Sequence, residues 1–310
     1  MPNRQPTQTV PQPDTLPSDR PRVSGGVRRG TAVTVATTLV AALLGWIYLV
    51  FVVLAVPEPL RANLGPGMNL TTLGGAPDVP AFLAALCVPA TLTTGVDWTA
   101  LAVTFAMWVA MVFAMMLPTA IPMFATYSRI LADTAQTGQR RPSRTLLAAG
   151  YTSVWVGFAL VATLAQTGLV WLGTLSPAMT PLAPALAGMT LIAAGLYQFT
   201  PAKYACLVRC RAPYSVLYAR WRSTGFGMLR LGVEEGLFCL GCCWTLMLVM
   251  FAVGVMNVVW MALFAALMVA EKMGTGRKLT VGIGIGLVVW GVLLVAVSEP
   301  GRRLIGMLQL

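Results

Sequence analysis

Near-continuous apolar runs recur along the chain at residues 31–56, 98–125, 147–174, 184–201, 233–254, 256–271 and 279–298. About 20 such residues suffice to cross a bilayer as a helix. The pattern therefore predicts an all-α, polytopic membrane protein with about seven transmembrane helices. The fifth and sixth runs are separate only if the chain breaks at 254–257, where Gly254 and Asn257 interrupt it. The polar stretches differ in kind. Residues 1–30 hold six prolines among Gln, Thr, Ser, Asp and Arg, too little apolar area to offset the entropy of ordering, so a disordered cytoplasmic tail is expected. The run that follows exceeds a signal h-region and reads as an uncleaved first span. Within the helical membrane domain, 31–298, the turn-rich 57–97 should be an outer loop, and 299–310 a short C-terminal tail.

Charge sets the orientation. Of the 21 basic residues, all but Arg61, Arg302 and Arg303 fall on one side when the N-terminus is placed in the cytoplasm and the 254–257 division is kept. The positive-inside rule predicts that asymmetry, and merging the divided run would put Lys272, Arg277 and Lys278 outside. The inner segment 203–232 interleaves Tyr214, Tyr218, Trp221 and Phe226 with arginines, as an interfacial segment under anionic headgroups would. A net charge of +11 broken into such clusters reports topology and not a nucleic-acid surface. The expected partner is the lipid bilayer, the expected location a cell membrane crossed many times, and no nucleic acid is expected.

Composition sharpens this. Apolar residues make up 57% and charged residues 10% of the chain, mean hydropathy is +0.76, and there is no histidine. The last fact excludes a Ser-His-Asp triad, an imidazole proton shuttle and His-ligated iron, copper or haem. On its own the chain reads as a binding protein more readily than as an enzyme.

Sulfur remains. Five of six cysteines, Cys206, Cys210, Cys239, Cys242 and Cys243, fall in one stretch straddling the fourth and fifth runs, and Cys87 stands apart. Cys206 and Cys210 are i,i+4, while Cys239 has Cys242 at i+3 and Cys243 at i+4, so each helix face offers two sulfurs together. Lys203, Arg209 and Arg211 are placed to stabilise thiolate, the form that binds metal. Glu235 precedes Cys239 by one turn and Met247 follows Cys243 by one, extending a candidate ligand stripe. Met107, Met111 and Met115 form a second stripe, a candidate path for a soft metal ion. The same residues also suit plain packing, since cysteine and methionine are common core fillers. Glu234 and Glu235 could likewise simply pair with Arg230.

The residues Ala106, Met107 and Trp108, then Ala114 to Pro118, Ala194 to Gln198 with Pro201, Lys203, Cys206, Cys210, Arg211 and Pro213, Gly236 to Trp244, and Gly254 to Asn257 with Trp260, Glu271 and Lys272 together form a pattern. It resembles the predicted metal-binding integral membrane proteins grouped as domain of unknown function 2182, over about residues 98–298. The resemblance implies an all-helical membrane protein with a metal-linked role and carries over the five clustered cysteines. The leading expectation is a Cu(I) site at the cytoplasmic edge, with zinc as second choice, serving copper handling or delivery to another membrane protein or metalloenzyme. Two alternatives stay open: a subunit of a membrane-bound metal-dependent oxygenase complex, and a membrane thiol redox protein.

Overall fold

The computed structural model describes residues 25–55, 98–136, 144–174, 184–213, 217, 224–255, 257–274 and 276–298. Most of the Pro-rich tail, the loop with Cys87, Tyr214, Tyr218 and Trp221 of the interfacial segment, and the C-terminal tail lie outside the described residues. Within them every regular element is a helix: α1 (Gly25–Ala55), α2 (Trp98–Gln136), α3 (Arg144–Trp171), α4 (Pro184–Tyr197), α5 (Pro201–Arg211), α6 (Gly225–Leu248), the single turn α7 (Met250–Val253), α8 (Val258–Met273) and α9 (Lys278–Val297). The all-α, polytopic membrane architecture is as the apolar runs predict.

Among the described residues five helices are, by length and composition, long and apolar enough to cross a membrane: Gly30–Leu54, Trp98–Leu131, Thr145–Trp171, Gly225–Val253 and Lys278–Val297. The other two runs form α4, of 14 residues, and α8, of 16. At about 1.5 Å per residue these reach roughly 21 and 24 Å, short of a hydrocarbon core about 30 Å thick. The apolar run 184–201 overstated its helix because α4 stops at Tyr197. Thr200 then N-caps α5, its hydroxyl accepting from Lys203 N, with Pro201 in the first turn. The chain does break where Gly254 and Asn257 stand. Gly254 adopts φ 105°, open to glycine at little cost, and the Asn257 side chain accepts from Trp260 N to start α8.

Close helix pairs organise the bundle: α1 lies along α2, α3 along α6, and α4 along α9. Small residues make these approaches possible, as is usual where lipid removes the hydrophobic incentive to pack. A Cβ at Gly188 of α4 would lie 2.7 Å from the Gly291 carbonyl of α9, so only hydrogen fits there. On the other pair, a Cβ at Gly232 of α6 would collide with the Leu147 carbonyl of α3. That contact draws α6 against α3 and sets Tyr151 opposite Cys239. Of the five spans α6 is the most enclosed, 61% of its apolar window being buried against 22% for α9. The thiol-bearing helix is thus central and α9 lies at the edge. Trp108, Trp155 and Tyr151 are fully buried, and Trp108 Nε1 donates to Gln166 Oε1 at 2.7 Å, so this indole is satisfied inside the core.

Candidate functional site

The stripe expected on α6 forms. Glu235, Cys239, Cys242, Cys243 and Met247 are all buried, on a helix whose N-terminus is capped by Thr224 accepting from Gly227 N. Alongside lies α5, with Lys203 and Leu207 fully inside and Cys206 and Cys210 partly buried at its margin. The two cysteine groups meet. Cys210 Sγ lies 4.0 Å from Cys242 Sγ, and Cys242 Sγ lies 3.2 Å from Cys243 Sγ. The Cys242 thiol also donates to the Cys239 carbonyl at 3.1 Å, which fixes its rotamer. Cys206 sits slightly apart, packed on Gly241, where a Cβ would come within 2.8 Å of its sulfur. Burial pushes the Cys206 thiol above its ordinary range, and the Arg209 charge opposes this.

The charges are arranged differently from the sequence expectation. Lys203, Arg209 and Arg211 are expected to stabilise thiolate; all three bond oxygen acceptors, and of them Arg209 still acts on Cys206 through its charge. Lys203 Nζ donates to both carboxylate oxygens of Glu271, at 3.1 and 2.9 Å, in an almost wholly buried pair. Arg209 pairs with Glu235 at 2.8 Å and lies over the Phe238 ring, 3.8 Å from its centroid. Arg211 donates twice to the Glu271 carbonyl and once to that of Gly276. Arg230 binds Glu234 at 3.2 Å, so of the two acids only Glu234 takes the simple interfacial pairing. The physical reason is proximity: α5 docks against α8 and the start of α6, where carboxylates and carbonyls outcompete neutral thiols for guanidinium and ammonium groups.

A different cation reaches the sulfurs. Lys272, near the end of α8, donates to Cys239 Sγ at 2.8 Å and to Thr119 Oγ1 at 2.7 Å. Tyr151 OH lies 3.0 Å from the same sulfur. Sequence reasoning took Lys272 as topogenic charge and as part of the family pattern, without joining it to the thiols, and passed over Thr119 and Tyr151. An ionisable residue following the apolar run of α8 was the available signal for the first; nothing in their spacing marks the other two.

These groups surround a cavity of about 20 Å³ lined by Thr119, Ala120, Met123, Tyr151, Cys210, Pro213, Glu235, Cys239 and Lys272. That is room for about one water-sized occupant. Met107, Met111 and Met115 are buried along α2, and four residues on from Met115 comes Thr119, then Met123, both on the cavity wall. Among the described residues no three Cys, Asp or Glu side chains already stand around a common ion position. What the arrangement offers is a pair of thiols from two helices, a third beside them, and a fourth held by an ammonium.

Comparison with known proteins gives one assignment. Residues 105–294 match the sequence model of a family described as PpoB2, copper chaperone. The match takes in α3 to α8, most of α2 and α9, and every residue of the site. No curated protein and no solved structure matches the chain.

Proposed function

The chain belongs to the PpoB2 copper chaperone family, and from that premise we propose that it carries Cu(I) within the membrane, held by Cys210 of α5 and Cys242 of α6 with Cys243 beside them. The observation that carries this reading is the 4.0 Å between Cys210 and Cys242 sulfurs on separate helices. With metal–thiolate bonds of about 2.3 Å, the length familiar from zinc, such a separation subtends roughly 120° at the ion. That suits an ion content with two or three soft donors, and soft sulfur selects Cu(I) over harder cations. Zinc is the second choice, since it favours four ligands.

Carriage also requires release. A site of few sulfurs in which one comes from an 11-residue helix outside the long spans can give up its ion when that helix shifts. The recipient is another membrane protein or a metalloenzyme. In this reading the site lies at the cytoplasmic edge of the membrane, the side on which the basic clusters are expected when α4 counts as a crossing between α3 and α6. Met107, Met111 and Met115 supply a candidate thioether route that ends at the cavity wall, and the Arg209–Glu235 pair, with Glu235 on that wall, is a candidate closure.

The test is metal loading of the purified, reduced protein in detergent, with bound copper and zinc measured by mass spectrometry. Near-stoichiometric Cu(I) is expected in the wild type, with losses in Cys210→Ser and in Cys242→Ser. Wild-type protein that takes up no Cu(I) would remove the proposal.

A further inference from the structure

The clustered thiols do not have equal freedom. Cys242 has Cys210 and Cys243 as sulfur neighbours; Cys239, which the same three thiols also approach, is engaged in addition by the Lys272 ammonium and the Tyr151 hydroxyl, at 2.8 and 3.0 Å. Lys272 is itself anchored. Thr119 has one hydroxyl proton, and it goes to the Met116 carbonyl at 2.7 Å. Its oxygen is therefore left to accept from Lys272 Nζ, also at 2.7 Å. The ammonium, which can only donate, is thus held by an acceptor on α2.

Two neighbouring charges are matched without Lys272. Lys203 is matched by Glu271 and Arg209 by Glu235, while among the described residues Lys272 pairs with no carboxylate. Cys239 lines the same cavity as Cys210, so it is within reach of an ion held at Cys210, yet already occupied.

Resting on the copper-carrying reading of these thiols, we propose that Lys272 is a specificity-determining residue: by holding Cys239 it leaves the cargo two or three sulfurs, enough for Cu(I) and too few for Zn(II). Zinc at a protein site fills a tetrahedron and needs the fourth donor. The fixed positive charge acts in the same direction, because it repels a divalent ion twice as strongly as a monovalent one at the same distance. Lys272 touches no cargo in this account; it acts through Cys239.

Cu(I) and Zn(II) affinities of the full-length protein, reduced and in detergent, can be measured by competition with chromophoric chelators for wild type, Cys239→Ser, Cys210→Ser, Lys272→Met and the double variant Lys272→Met/Cys239→Ser. Cys239→Ser is expected to keep stoichiometric Cu(I), unlike Cys210→Ser. Lys272→Met is expected to raise the ratio of Zn(II) to Cu(I) affinity by about 10- to 100-fold, the usual scale for groups that orient metal ligands. In the double variant that gain should vanish, because the freed donor is gone. The proposal is overturned if Cys239→Ser loses Cu(I) as fully as Cys210→Ser, or if Lys272→Met leaves the ratio unchanged. Should Lys272→Met fail to fold, the Cys239→Ser arm decides alone. Failure of the copper reading looks different: the wild type itself would take up no Cu(I).

Discussion

Gly232 and Gly150 carry the contact that brings α6 to α3, and their effect can be read one atom at a time. A methyl group at Gly232 meets the Leu147 carbonyl, which cannot move without its helix. Gly232→Ala is therefore expected to destabilise the protein by about 1–3 kcal/mol, the usual cost of overpacking. Gly157→Ala, on the same pair of helices but with nothing within 4 Å of the added Cβ, should have no such cost. Thermal unfolding in detergent distinguishes the two. At this scale the sequence was informative about sulfur and misleading about charge. The i,i+3 and i,i+4 spacings placed Cys239, Cys242 and Cys243 on one buried face, because helical periodicity is local. Lys272 is 33 positions from Cys239, and no local rule says which of the neighbouring cations will reach a thiol. Basic residues near the cysteines in sequence went instead to carboxylates and carbonyls brought in by tertiary packing.

Among the elements, α5 decides whether the site exists, since it alone brings Cys210 to α6. It is fastened to α8 by the buried Lys203–Glu271 pair and by Arg211 on the Glu271 carbonyl. Breaking one half of a buried pair leaves an uncompensated charge, typically worth about 3–5 kcal/mol, whereas replacing both halves with apolar groups is often near neutral. Lys203→Met alone should therefore unfold the protein at markedly lower temperature, and Lys203→Met/Glu271→Leu should recover most of the loss. Equal destabilisation by single and double variants would show that the pair does not act as a unit. The break at Gly254 was legible because glycine and asparagine interrupt an apolar run and suit a turn and a helix cap. Its consequence is visible in space: α8 returns far enough for Lys272 to touch Cys239, which an unbroken helix could not do. The lengths of α4 and α8 were not legible, because hydropathy measures how apolar a run is and not where its helix stops.

For the whole molecule, apolar periodicity was enough to give an all-helical membrane architecture, since a bilayer leaves a chain of such runs little alternative. Which helices pair was not available from it. That follows from glycine-to-carbonyl contacts such as Gly188 with Gly291, whose partners are distant in sequence. The pairing nevertheless builds the candidate site, because it buries α6 at the centre and puts sulfurs from α5 and α6 within 4.0 Å. The central claim is that one copper ion is held by sulfur from both helices. X-ray absorption at the copper edge of the Cu(I)-loaded, full-length protein tests it most directly, with Cys210→Ser measured beside it. A first shell of two or three sulfurs and no nitrogen or oxygen is expected in the wild type, with loss of that sulfur shell in the variant. A wild-type shell of oxygen or nitrogen donors, or a sulfur shell unaltered by Cys210→Ser, would contradict it.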